Sequence, residues 1–177
     1  FALLEQRPRA IEMLVRLFVN SQFLTELLLK HPEFLERLTE SRHLSEVRDR
    51  GEFLQDMRKA ASGMPGTERF DAVRRIQRWE VLRIAACDCF GLMDLKRVTL
   101  QLSLLADATV QALLELLVES DGGEGLPVDT PAAPAGFAVL ALGKLGGEEL
   151  NYSSDIDLVF LGESSAMEVV RIGQQLV

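Results

Sequence analysis

Cysteine is scarce in this chain: 177 residues hold only Cys87 and Cys89, which excludes a disulfide-stapled secreted scaffold. With His31 and His43 as the only histidines, the pair spells neither a CxxC redox motif nor a zinc cluster. Side chains at i and i+2 of a helix diverge, so both cysteines are expected to be reduced, packed thiols. Long uninterrupted apolar runs are missing too. None approaches the roughly 18–20 residues that a membrane helix needs, and the amino terminus shows no basic-then-apolar signal pattern. A cationic excess is also lacking. Nineteen Lys and Arg against 27 Asp and Glu leave a formal charge of −8, which argues against a nucleic-acid groove. These absences predict a cytoplasmic globular protein with no membrane and no nucleic acid among its partners. The hydrophobic share, 47%, is enough for a core at this length.

What is present is helical for most of the chain. Apolar periodicity predicts helices over 8–19, 22–30, 32–39, 45–61, 67–90 and 94–119. Ser21 is placed to cap the second, and Pro32 suits the first turn of the third. In the last, Leu95, Val98, Leu102, Leu105, Thr109, Leu113 and Leu116 recur at threes and fours, a stripe that faces a core. Arg69, Arg74, Arg75, Arg78 and Arg83 lie along one predicted helix around Trp79. A phosphate-facing or partner-facing strip is one reading. A solvated face with pairs such as Asp71 to Arg75 is the plainer one, with Trp79 a partly buried packing residue. No repeat of 20–50 residues and no sustained heptad pattern occurs. Residues 120–135, SDGGEGLPVDTPAAPA, concentrate glycine and proline and predict a linker loop between a helical domain, 1–119, and a short α/β segment, 136–177.

That last segment carries the chemistry. The apolar run Phe137 to Leu142 enters GKLGGEELNYSSDIDL, Gly143 to Leu158, and a second β run, Ile156 to Leu161, follows. Asp155 and Asp157 stand one position apart at its head, where side chains at i and i+2 of a strand share a face. Ile156 would point the opposite way, into the core. Two carboxylates about 5 Å apart repel by roughly 3 kcal/mol at an effective dielectric of 20, which favours a hard divalent cation between them. Mg²⁺ takes such oxygen ligands, keeping waters and substrate phosphates for the rest. Gly143, Gly146 and Gly147 lack a Cβ and let backbone N–H groups approach phosphate oxygens. Lys144 can add a positive charge there or lie in solvent. GKLGG is neither a Walker A loop nor a GxGxxG fingerprint. A plain hairpin with surface aspartates is the bland alternative. The joint occurrence of strand, GK turn, glycine pair, Ser154 and DID running into LVFL points instead to nucleotidyl transfer.

From Gly143 through Phe160 the chain resembles the pattern GKLGGxELxxxSDxDLxF of the glutamine synthetase adenylyltransferase family, within the DNA polymerase β-like nucleotidyltransferases. The segments from Ser21, SQFLTELLLKHPEFLERL, and from Arg69, RFDAVRRIQRWEVLRIAACDCFGLMDLKRVTLQLSLLADATVQALL, are similar to the helices preceding that motif. The resemblance implies an α+β, predominantly helical fold: a helical bundle followed by an incomplete nucleotidyltransferase sheet. It implies Asp155 and Asp157 as catalytic metal ligands for Mg²⁺, as two ions, and Gly143, Lys144, Gly146, Gly147 and Ser154 as nucleotide or phosphate contacts. ATP, ADP or inorganic phosphate are the implied co-substrates, and glutamine synthetase and the PII signalling protein the implied partners. Members carry one half that attaches AMP to a tyrosine and one that removes it by phosphorolysis. Asn151 and the SSDID spelling resemble the removing half; the opening ALLEQRPRAIEMLVRLF resembles what precedes the attaching half. The removing type is expected. A non-catalytic nucleotide-sensing module and a small-molecule nucleotidyltransferase are the competing classes. A third carboxylate is expected from a later strand, since only Glu163 and Glu168 follow DID. Opening at Phe1 and ending at Val177 inside an expected helix, 165–177, the chain is read as a fragment that is inactive alone.

Overall fold

The helices preceded by Ser21 and Asp49 begin where a side chain accepts from a free amide group. A computed structural model of the chain describes residues 8–41, 44–120 and 137–162. It contains α1 (Pro8–Asn20), α2 (Gln22–Lys30), α3 (Glu33–Glu40), α4 (Arg50–Ala61), α5 (Glu68–Cys89) and α6 (Leu95–Ser120). Then come β1 (Phe137–Leu142), the single helical turn α7 (Gly143–Gly146) and β2 (Asp157–Gly162). Ser21 does cap α2, its Oγ accepting from Leu24 N at 3.3 Å. Pro32 immediately precedes α3 with φ −61°, a conformation already suited to the helix. The chain is therefore predominantly helical with a small antiparallel sheet at its end, as the sequence predicts.

One helix starts later than its periodicity suggests. The stretch from 45 was expected to be helical, yet α4 begins at Arg50 because a capping box stops it. Asp49 Oδ1 accepts from Glu52 N at 2.9 Å while Glu52 Oε2 accepts from Asp49 N at 2.8 Å. The residues before it are held by side chains instead. Gln101, fully buried, accepts from Arg48 N at 2.9 Å and donates to Arg48 O at 2.6 Å, copying a strand pairing with its carboxamide.

Contacts divide the chain into two compact units, Phe1–Val47 with Arg78–Val98, and Arg48–Gln77 with Thr99–Val177. The first is built on Leu17, Leu24, Leu27, Leu28, Phe34 and Leu38 packed with Trp79, Leu82, Ala85 and Ala86. Burying each large side chain contributes roughly 1.5–3 kcal/mol. Trp79 is more deeply buried than expected, only 3% exposed, with the Arg37 guanidinium 4.1 Å from its ring centroid. Arg83 also departs from the solvated-face reading. It is buried, pairs with Glu80 at 2.6 Å, and donates to the carbonyls of Leu44 at 2.6 Å and Glu46 at 3.1 Å. Cys87 Sγ donates to that same Leu44 carbonyl at 3.1 Å, and burial pushes its thiol pKa up. Both cysteines are free thiols, as expected. On the exposed part of the arginine face Asp71 pairs with Arg74 at 3.7 Å.

The Arg83–Glu80 pair carries a stability prediction. Arg83→Leu removes the guanidinium paired with the buried Glu80 carboxylate and its donations to the Leu44 and Glu46 carbonyls, leaving Leu44 O only the weaker Cys87 thiol among these donors. Such half-broken pairs cost about 3 kcal/mol, so urea denaturation should show a loss of that size. Replacing both residues with apolar ones should recover most of it, and a neutral single variant would contradict the reading.

In the second unit α4 and α6 are joined by charge as well as by packing. Phe53, Leu54 and Met57 are buried, as are Leu102, Leu105, Ala108 and Ala112. Arg58 grips Glu115 with two bonds of 2.8 and 2.6 Å. Arg48 pairs with Asp56, Arg50 with Asp107, and Arg69 with Glu119. The α6 stripe is only part of the buried surface. Leu95 is 74% exposed, whereas Gln101, Ser103 and Leu114, off that stripe, are buried. By length and composition Leu95–Leu117, with mean hydropathy 1.4, is apolar enough to cross a bilayer, which the search for uninterrupted runs passes over. Half of that window is buried inside the protein, as the core helix of a water-borne domain also would be.

Strands β1 and β2 pair antiparallel, from Phe137 opposite Gly162 to Leu142 opposite Asp157. Val139, Ala141 and Leu158 line a cleft of about 220 Å³ against Val110 and Leu114 of α6. The other face presents Leu140, Leu142, Val159 and Leu161, all exposed. The expected linker (all but Ser120), the expected helix over 165–177, Glu163 and Glu168 lie outside the described residues.

Candidate active site

The ladder pair Leu142 and Asp157 closes the sheet at the end where β1 runs into the glycine turn. Gly143 follows with φ +57°, a left-handed conformation that favours glycine. A Cβ at Gly143 would lie 2.8 Å from Asp157 Oδ2. The carboxylate of Asp157 is therefore seated directly on the bare backbone of the turn. Gly146 is needed for a different contact, since its Cβ would meet the carbonyl oxygen of Ala141 at 2.6 Å. Gly147 is less constrained. Its φ is −89°, and its nearest neighbour to a Cβ is 3.5 Å away. Its N–H also donates to Gly143 O at 3.1 Å, so it closes the turn rather than facing outward. Glu148 and Glu149 close it further, donating to Leu145 O and Lys144 O at 3.1 and 2.8 Å. Glu148 does so with φ +58°, the one non-glycine positive φ among the described residues.

Asp155 lies just ahead of β2, not within it, since the strand begins at Asp157. It is exposed, as is Asp157. Ile156 between them is 41% exposed rather than buried, a correction to its expected place in the core. The reason is that it precedes the ladder, which begins only at Asp157, so the alternation of the strand does not govern its direction.

Ser154, Lys144 and Asn151 form one network. Ser154 Oγ donates to Asn151 Oδ1 at 2.7 Å and accepts from Asn151 N at 3.3 Å and Lys144 Nζ at 3.2 Å. A hydroxyl has one proton and two lone pairs, so all of its capacity is committed. Asn151 Oδ1 also accepts from Ser153 N and Ser153 Oγ at 3.1 and 3.2 Å. In this arrangement Ser154 holds Lys144, and Lys144 keeps two further N–H donors for an anion. The carboxamide of Asn151, read from the sequence only as a mark of one half, organises the loop.

The loop is anchored from below by a residue that carries no sequence signal. Leu150 and Leu145 are buried, and Leu150 N donates to Ser103 Oγ of α6 at 3.0 Å. Ser103 lies 47 positions earlier in an apolar helix and matches no motif.

The donor set fits a hard divalent cation in kind, being two exposed carboxylates with oxygen ligands and open solvent beside them. Among the described residues no group of three or more His, Cys, Asp or Glu gathers round one point, so any further ligand must come from water or substrate, or from outside those residues.

Comparison with known proteins follows the same residues. The family model described as glutamate-ammonia ligase adenylyltransferase matches residues 11–174. A bifunctional glutamine synthetase adenylyltransferase/adenylyl-removing enzyme of Thioalkalivibrio sulfidiphilus is 31% identical over 98% of this chain and 19% of its own length. Enzymes of the same description from Idiomarina loihiensis and Nitrosococcus oceani are each 34% identical, over 92% and 90% of this chain and 18% and 17% of theirs. The chain thus spans about a fifth of the length of the curated relatives it matches. With residues 11–174 matched in one continuous stretch, the chain belongs to the glutamate-ammonia ligase adenylyltransferase family.

Proposed function

We propose that the chain carries the aspartate pair and glycine turn of a nucleotidyltransferase centre that moves an adenylyl group on a tyrosine of glutamine synthetase, in the removing direction. The observation that carries the reading is the seat of Asp157 on Gly143, which fixes a carboxylate at the mouth of the glycine turn. The removing direction is supported by Asn151 and the SSDID spelling. The attaching half more often has glycine at that position, and glycine could not supply the carboxamide that gathers Ser153 and Ser154 here.

In removal, inorganic phosphate attacks the α-phosphorus of the adenylyl group, the bond to the tyrosine oxygen breaks, and ADP departs from a free phenolate. Asp155 and Asp157 would hold magnesium, which when bound supplies charge neutralisation on the phosphate oxygens. Lys144 offers its two remaining N–H donors to an anionic oxygen as a point charge. The missing Cβ at Gly143 leaves Asp157 room to sit against the backbone. No side chain has to act as nucleophile; the chain positions and screens.

The test is which reaction disappears. In the full-length protein, the double substitution Asp155→Asn and Asp157→Asn should abolish phosphate-driven loss of AMP from glutamine synthetase, followed by intact-protein mass spectrometry. ATP-driven attachment by a second half should persist. Loss of attachment with removal retained would assign this chain to the opposite half, and retention of both would end the catalytic reading.

A further inference from the structure

The glycine-turn loop is tied to α6 at a buried polar point. Ser103 is 2% exposed and Leu150 is 7% exposed. The Ser103 hydroxyl donates to Thr99 O at 2.8 Å and accepts from Leu150 N at 3.0 Å. Its proton faces back along α6 and its lone pair faces the loop. A buried backbone N–H without a partner is costly, so this hydroxyl sets where Leu150 stands. The next residue is Asn151, which gathers Ser153 and Ser154, and Ser154 in turn holds Lys144 and directly precedes Asp155.

From this series we infer that Ser103 is a positioning residue for the nucleotidyl-transfer site, acting through Leu150 and Asn151 on the placement of Asp155 and Lys144. The inference rests on the proposed reading of Asp155 and Asp157 as the metal-holding pair. Ser103 touches no reacting atom. Its removal leaves the two carboxylates and the lysine in the chain but frees the loop that sets their spacing. Groups that orient a metal-holding residue from outside typically change affinity or activity by 10–100-fold.

The experiment uses the full-length protein with Ser103→Ala and Ser103→Thr, and Asp157→Asn as a reference. Threonine in a helix makes the same bond to the carbonyl four residues back, so it keeps an oxygen where Leu150 N needs one. Ser103→Ala should lower kcat for adenylyl removal by about 10-fold and raise the Mn²⁺ concentration for half-saturation of this site by about 10-fold. The Leu150 amide should exchange with solvent faster, while KM for glutamine synthetase stays unchanged. Ser103→Thr should restore both kcat and the Mn²⁺ midpoint. The inference is overturned if the alanine variant loses thermal stability but keeps the wild-type Mn²⁺ midpoint, or if threonine is as impaired as alanine. Failure of the underlying reading looks different: it appears as Asp157→Asn retaining full removal activity, whatever Ser103 does.

Discussion

Asp157→Asn is expected to lower adenylyl removal by about a thousandfold while leaving the fold intact. The substitution preserves shape and removes one negative charge. If that charge holds a cation that neutralises phosphate oxygens, the loss is several kcal/mol of transition-state stabilisation, and about 4 kcal/mol corresponds to three decades in rate. The structural cost should be small, because Asp157 is exposed and exposed substitutions usually fall within about 0.5 kcal/mol. Without divalent cations the two carboxylates only repel, so Asp157→Asn should be neutral or slightly stabilising in chelator. With Mg²⁺ the wild type gains binding free energy that the variant cannot, so the order of melting temperatures should reverse. Steady-state kinetics and thermal melts with and without chelator check both halves of the prediction. Asp155→Asn should behave the same way if the pair acts together.

Among the three glycines that the motif treats alike, the structure ranks substitution effects sharply. Gly146→Ala places a Cβ 2.6 Å from Ala141 O and 3.1 Å from Ala141 C. Both are backbone atoms of β1 and cannot swing away, so the turn must separate from the strand. We expect about 3 kcal/mol of lost stability, the upper part of the range for overpacking, and a fall in activity of roughly a hundredfold from a misplaced site. Gly143→Ala meets the end of a side chain, Asp157 Oδ2, at 2.8 Å, and adds a left-handed φ of +57°. That conformation costs a residue with a Cβ about 1–2 kcal/mol, and relief comes by displacing the carboxylate itself. Its activity loss should therefore exceed what its stability loss alone would give. Gly147→Ala should be nearly silent, since only ordinary contacts at 3.5 and 3.9 Å await it. Denaturation and turnover of the three variants side by side give the ranking; equal tolerance at 146 and 147 would contradict the geometry.

Much of the helical architecture was readable because it follows local rules. Apolar periodicity located six helices, and Ser21 and Pro32 marked two starts. The late start of α4 was legible in hindsight as Asp49 three residues before Glu52, a capping box that outweighs the apolar spacing around Val47. Arg83 could not be distinguished from its exposed neighbours, because its burial depends on carbonyls of Leu44 and Glu46 about forty positions away. The site followed the same division. Gly143 and the aspartates are the residues that spacing singles out, and the structure adds the seat of Asp157 on Gly143, which spacing does not show. Asn151 as loop organiser and Ser103 as anchor arise from tertiary contacts, and a serine in an apolar helix has no local pattern to betray it. Ile156 was misplaced because strand alternation was extended one step beyond the ladder, which begins only at Asp157.

The account depends most on whether Asp155 and Asp157 jointly hold a divalent ion. Electron paramagnetic resonance of Mn²⁺ titrated into the full-length protein, compared with its Asp155→Asn, Asp157→Asn double variant, reads this without any turnover. The expected result is that the variant loses tight Mn²⁺ binding at this centre while any site elsewhere in the protein is kept. Identical binding isotherms for the two proteins would contradict it.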